Sequence, residues 1–207
     1  IASVQRRSLL QAACAASVLT LAACSKETPA GGASSGPAAT DAKPGSVAPS
    51  IEAITAEATG FNVGSSMVTR VAYVFFDPQC PHCAVLWKTS RPLKAQTRFV
   101  WIPVSLLNDK SAPQGATLLA AADPVAAMDE HEALLADKKG GISAMNATDE
   151  RKEQVKRNTA LFTKFGFGSV PTVVAKHGQT GQLVTVEGSA PTDVLAQRLG
   201  LNAPAGS

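Results

Sequence analysis

The stretch from Val71 to Val85 reads Val-Ala-Tyr-Val-Phe-Phe-Asp-Pro-Gln-Cys-Pro-His-Cys-Ala-Val and constrains the whole chain. A run of β-branched and aromatic residues ends at Asp77-Pro78, and two cysteines flanking Pro81-His82 follow at once. This order predicts a strand, a tight turn, and a helix whose first turn carries both thiols. Pro81 suits the first helical position, where its missing N–H would have had no partner. Cys80 therefore falls at the mouth of the helix.

Unpaired backbone N–H groups at a helix start, together with the macrodipole, stabilise an anion there, so the Cys80 thiolate is favoured. His82 adds a donor and, when protonated, a positive charge beside the same sulfur. A thiol of lowered pKa is more often ionised at neutral pH and leaves more readily in exchange. Other uses of the pair fit less well. A structural zinc site needs a second pair of ligands, and His131 and His177 stand alone. A c-type haem needs histidine directly after the second cysteine, where Ala84 stands. A static disulfide closing so short a loop would stabilise little. Cys80 and Cys83 read as a redox pair, with neither metal nor cofactor called for.

The run from Phe75 to Cys83, with Val170-Pro171-Thr172 some way downstream, resembles the periplasmic thiol:disulfide interchange proteins of the Dsb group, and in particular the catalytic domain of the DsbC/DsbG branch. The resemblance covers about Ser66 to Gly200. It implies an α/β, thioredoxin-like fold: a four-stranded mixed sheet with an inserted helical subdomain at about residues 111–166. It also implies a cis Val170-Pro171 bond facing the cysteine turn, where the Val170 backbone can pair with a substrate segment as an added strand. Thioredoxin carries a buried acid six residues before its first cysteine. Val74 stands at that position here, so a charge opposing the thiolate is absent there.

The N-terminal part reads as targeting and tether. Arg6-Arg7 followed by the apolar run Leu9 to Ala23 predicts a signal peptide over residues 1–23, too short for an ordinary membrane span. Leu21-Ala22-Ala23-Cys24 resembles a bacterial lipobox, with Cys24 as the lipidated residue, and Arg6-Arg7-Ser8-Leu9-Leu10 resembles a twin-arginine signal. Cys14 would leave with the signal, so Cys80 and Cys83 remain as the pair in an oxidising compartment. Residues 24–50 would comprise this lipidated cysteine and a disordered linker rich in Ala, Gly, Ser and Pro. Without Arg6 and Arg7 the 19 basic residues become 17 against 16 acidic ones, a net +1. With no basic patch, nucleic acid is set aside as a partner.

Residues 51–65 form a short lead-in, with Ile51, Ile54 and Ala58 on one helical face. They stand where the DsbC/DsbG branch has a dimerisation domain, so the substrate cradle of that branch has no room here. Residues 66–201 are the expected thioredoxin-like domain. Its second strand runs from Arg98 to Val104, parallel to the first across a right-handed crossover. Trp87 and Trp101 read as core. Asp123-Pro124 opens a helix that buries Val125, Met128 and Leu135, turns Asp129, Glu130 and Glu132 outward and stops at Gly140-Gly141. His131 reads as a solvated residue on that helix. Thr148 caps a further helix burying Val155, Phe162 and Phe165. The strand after Pro171 and the strand Leu183 to Glu187 make a hairpin, and Pro191 to Leu199 forms the closing helix.

Together these features predict a thiol:disulfide oxidoreductase acting on protein thiols and disulfides, with Cys80, His82 and Cys83 as catalytic residues and Val170 and Pro171 as substrate contacts. A membrane-held redox partner would recycle the pair, and lipid on Cys24 would tether it in the periplasm. The same site could run as an isomerase or reductase of the DsbG type. Two other classes stay open: copper or zinc delivery through Cys80, His82 and Cys83, and a substrate-binding lipoprotein that uses the fold as a platform.

Overall fold

A computed structural model of the chain describes residues 46–204. The signal segment, Cys14, Cys24 and the tether up to residue 45 lie outside the described residues. In chain order the elements are α1 (Ile51–Glu57), β1 (Phe61–Val63), β2 (Val71–Phe76), α2 (Pro81–Ser90), β3 (Arg98–Pro103), α3 (Ser111–Ala120), α4 (Pro124–Ala136), α5 (Asp149–Lys164), β4 (Thr172–Lys176), β5 (Leu183–Glu187) and α6 (Thr192–Leu199). A single 3-10 turn, Arg91–Leu93, continues α2 past Pro92.

The sheet runs β1-β3-β2-β4-β5, with β2 and β3 parallel and every other pair antiparallel. It thus has five strands where the sequence predicted four. The additional strand, β1, pairs Phe61 with Trp101 and Val63 with Phe99 at the edge beside β3. Gly60 lets the chain reach that edge, because a Cβ there would lie 2.5 Å from the Trp101 carbonyl oxygen. Asn158 of α5 then fastens the approach. Its amide accepts from the Thr59 N–H (2.9 Å) and donates to the Thr59 (2.8 Å) and Pro103 (2.9 Å) carbonyls. Three residues with one polar member give too short a pattern to distinguish from loop.

Alternation along the strands splits the core into two layers. Ala72, Val74, Phe76, Phe99, Trp101, Val173 and Ala175 face Leu86, Trp87, Met128 and Leu195. Phe75, Ile102 and Val174 face Ile54, Leu161, Phe162 and Phe165 on the opposite side. Both tryptophans are core, and Trp87, Trp101, Phe76 and Phe61 make a chain of edge-on ring contacts, the closest with centroids 4.9 Å apart. One wall of the site thereby acquires a rigid base: α2 sits on a sheet whose strands are filled to the end that carries the cysteines.

Two helices of the insertion start on the residues that the sequence marked. Asp123 accepts from the Val125 and Ala126 N–H groups, and Thr148 caps α5 through the Arg151 N–H. Gly200 ends α6 in the left-handed conformation. Four residues of α4 differ from expectation: His131 and Glu132 are buried rather than solvated, and Val125 and Leu135 are only partly buried rather than buried. The face of α4 that packs on the domain thus carries His131 and Glu132 alongside Met128.

Candidate active site

Residues 77 to 79, between β2 and α2, carry an unusual density of hydrogen bonds. Asp77 is fully buried, and its two carboxylate oxygens accept four: from the Gln79 N–H (2.8 Å), the Ser111 hydroxyl (2.7 Å), and the Leu106 (2.7 Å) and Leu107 (3.0 Å) N–H groups. That arrangement satisfies a buried charge and joins the cysteine turn to the loop after β3 and to α3. The Pro78 carbonyl lies 2.7 Å from Nε2 of His131, while Nδ1 of the same ring accepts from the Ile142 N–H at 3.2 Å. The network therefore assigns the proton to Nε2. Burial lowers the pKa of this imidazole, which keeps it neutral in that role. Gln79 donates to Gln114 (2.5 Å), whose amide in turn donates to the Gly140 and Ile142 carbonyls.

Gly141 explains how the loop after α4 closes over the histidine. Its φ is +87°, and a Cβ there would fall 2.5 Å from the His131 ring. In the sequence the Gly140-Gly141 pair reads as a helix stop. In the fold α4 ends at Ala136, and both glycines turn the chain back across the insertion.

Cys80 occupies the N-cap of α2 with extended backbone (φ −92°, ψ 116°), and Pro81 opens the helix. The Cys83 thiol hydrogen-bonds the Cys80 sulfur and is the largest influence lowering its pKa to about 6, against the opposing effect of burial. The Cys83 and His82 backbone N–H groups and the His82 charge pull in the same direction. Cys83 is fully buried, and desolvation drives its own pKa strongly upward, reinforced by Cys80. The two thiols thus differ as an ionised group at the mouth and a protonated group beneath it. His82 is exposed at the rim.

The Val170-Pro171 peptide bond is cis, and the Val170 carbonyl oxygen lies 3.5 Å from the Cys80 sulfur. Cys80, His82, Cys83, Val170 and Pro171 therefore meet at one end of the sheet. Cys80 is only 5% exposed, yet it lines a cavity of about 600 Å³ whose walls include Leu106, Leu107, Phe167 and Val170. The sulfur is recessed but reachable.

Three residues near the cysteines escaped sequence reasoning. Asp77 lay in the quoted motif without a role. His131 and Glu132, between Glu130 and Ala133, carry the signature of an exposed helix face, and their burial follows from how α4 docks. Glu132 is 7% exposed, and neither of its carboxylate oxygens has a hydrogen-bond partner. Burial pushes its pKa up to about 7, the Lys88 charge acts against that, and a charge on Cys80 adds to it. Val74 does leave the expected position without an acid, but a carboxyl group reaches the back of α2 from the insertion instead. Among the described residues, no group of three or more His, Cys, Asp or Glu side chains is arranged to hold a metal ion.

Two curated relatives are similar to this chain. The thiol:disulfide interchange protein DsbG of Pseudomonas aeruginosa is 29% identical over 142 residues, 66% of this chain and 54% of the relative. DsbG of Escherichia coli is 29% identical over 107 residues, 50% of this chain and 42% of the relative. The chain thus spans about half the length of the curated relatives it matches. Among solved structures, the catalytic domain of Proteus mirabilis ScsC superposes with a TM-score of 0.55 at 19% identity, covering 72% of this chain and 95% of that domain. Residues 66–201 match the thioredoxin-like domain family, and with β2, α2, β4 and the cysteine turn in the order described, the chain belongs to that family.

Proposed function

We propose that this protein is a periplasmic thiol:disulfide oxidoreductase that exchanges disulfides with protein thiols through Cys80 and Cys83. One observation carries this reading: Cys80, at the N-cap of α2, lines an open cavity, while Cys83 in the first turn of the same helix is fully buried. The DsbG relatives, named for the same exchange, support it. In the oxidised protein a substrate thiolate attacks the Cys80 sulfur, the Cys80–Cys83 bond breaks, and Cys83 leaves with the electron pair as a thiolate that then takes up a proton from water or from a second substrate thiol. A second substrate thiolate attacks the substrate sulfur of this mixed disulfide and expels Cys80 as a thiolate. The substrate ends as a disulfide and the protein as a dithiol, two electrons having moved. Because the thiolate at position 80 is stabilised, it is a good leaving group, and the pair favours oxidation of substrates over reduction. The reverse sequence, in which Cys80 attacks a wrong disulfide and Cys83 releases the enzyme, gives reductase or isomerase work at the same atoms.

In this reading Cys80 is the nucleophile, Cys83 the resolving thiol, and His82 the electrostatic support, while Val170 and Pro171 offer backbone to the incoming strand. The lipobox-like Leu21-Ala22-Ala23-Cys24 supports a signal of residues 1–23 and a lipid anchor at Cys24, with residues 25–50 as tether and a membrane-held redox partner within its reach. Cys83→Ala expressed in cells tests the assignment. The variant traps substrates on Cys80 as mixed disulfides, seen as bands that collapse on reduction, and Cys80→Ser traps none. Equal trapping by both variants, or by neither, refutes it. Equilibration with glutathione then fixes direction: a potential near about −120 mV marks an oxidant, and one near about −270 mV a reductant.

A further inference from the structure

A second cavity, of about 230 Å³, lies between α2 and α4 and shares no residue with the one beside Cys80. Trp87, Lys88 and Arg91 of α2 line it with Asp129 and Glu132 of α4, and the small side chains of Ala133 and Ala136 complete its wall. Its four charges are not equivalent. Arg91 binds the Asp129 carboxylate and stacks over the Trp87 ring, 5.4 Å from the centroid, while the Trp87 indole N–H donates to Asp129 at 2.8 Å. That pair is satisfied. Glu132 is 7% exposed, and neither of its carboxylate oxygens has a hydrogen-bond partner. Lys88 is exposed, its charge reaches Glu132, and it takes part in none of the ion pairs among the described residues. A carboxylate desolvated in this way gains from any donor that reaches it, because its own desolvation was incurred on folding.

We propose that this cavity is a binding site for a small zwitterion of the α-amino-acid type, held with its ammonium on Glu132 and its carboxylate on Lys88. Charge selects this class. With Arg91 and Asp129 neutralising each other, one acid and one base remain, so a lone cation would meet Lys88 and a lone anion would meet Glu132. Size points the same way. The volume of about 230 Å³ lies below the range of about 300–1,000 Å³ that encloses drug-sized molecules, and it exceeds the roughly 30 Å³ of one water several times over. Ala133, Ala136 and the Trp87 ring give a short aliphatic side chain apolar surface to cover. A metal ion fits less well, because Asp129 is already engaged and Glu132 alone is left to ligate. The site stands apart from the exchange chemistry, which uses none of these residues.

Isothermal titration of the reduced full chain with L-valine at pH 8, where Glu132 is largely ionised, tests this. Isobutylamine and isovalerate serve as companion probes, since each keeps the carbon skeleton of valine and only one of its two charges. Valine is expected to saturate a single site, and each companion to bind at least about tenfold more weakly, the loss of one charge-assisted hydrogen bond. Glu132→Gln keeps the shape of the side chain, and Lys88→Met changes an exposed position where packing is not at stake. Each is expected to weaken valine binding about tenfold or more. Absence of saturation up to about 50 mM valine overturns the assignment. Isobutylamine binding as tightly as valine also overturns it, because the cavity would then be a plain cation site. Affinity unchanged in Glu132→Gln places the valine elsewhere, and affinity unchanged or tightened in Lys88→Met makes that lysine the partner of Glu132; either result overturns the assignment.

Discussion

Glu132 offers the sharpest test of how the insertion packs against α2. The residue is 7% exposed and its carboxyl is without a hydrogen-bond partner, in a groove shared with Trp87, Lys88, Arg91 and Asp129. Asp129 is engaged by Arg91 and by the Trp87 indole N–H, and these bonds outweigh the effect of burial and hold its pKa below the ordinary range. Glu132 is left to bear the desolvation, and burial lifts its pKa from 4.5 to about 7. A displacement of that size corresponds to on the order of 3 kcal/mol between the two protonation states.

The sign follows from proton counting. Below about pH 4.5 the group is protonated in both folded and unfolded chains and contributes no difference. Between there and about pH 7 the unfolded chain ionises while the folded one does not, so the folded state loses stability as pH rises. Glu132→Gln keeps the shape and removes the titration. Urea unfolding of the reduced protein from pH 4.5 to 8 should therefore find the variant equal to wild type at the acid end. At pH 8 it should be more stable, by up to about 3 kcal/mol. A difference between the two proteins that stays flat across this range would refute the claim that Glu132 is buried without a partner.

Two further substitutions probe the supports of the cysteine turn. Asp77→Asn puts an N–H₂ donor against backbone N–H donors or the Ser111 hydroxyl and should cost about 2–4 kcal/mol of unfolding free energy; a loss under about 1 kcal/mol would mean the four bonds to Asp77 do not hold the turn. Gly141→Ala sets a Cβ against the His131 ring at positive φ and should cost about 1–3 kcal/mol. His131→Ala introduced into that variant should recover part of the loss by removing the obstructing ring, and no recovery would place the strain elsewhere.

Much of the fold was legible because the informative residues are local signals. The β2 run, Pro81 after Cys80, the Asp123 and Thr148 caps and the stop at Gly200 each act within a few residues of where they stand. The cis bond at Pro171 came from resemblance rather than from local pattern. What stayed hidden depends on contacts distant in sequence. β1 is recognisable only through its pairing with Phe99 to Trp101 and its clamp by Asn158. His131 is buried only because Pro78 and Ile142, 53 and 11 residues away, supply both of its ring nitrogens with partners. Glu132 follows it inward because α4 docks with that face. At the candidate site the two thiols, His82 and the Val170-Pro171 corner that the sequence singled out are brought together by the fold. The groove beside them was not, because Leu106 and Leu107 become a surface only when Asp77 holds their backbone in place.

The account turns on the ionisation of one sulfur. Alkylation of the reduced protein by iodoacetamide, followed at Cys80 by peptide mass spectrometry across pH 4 to 10, measures it directly. Half of the limiting rate is expected near pH 6, with Cys83 unreacted throughout because it is buried and protonated. A midpoint near about 8.5, that of an unperturbed thiol, or modification of Cys83 ahead of Cys80, would contradict it.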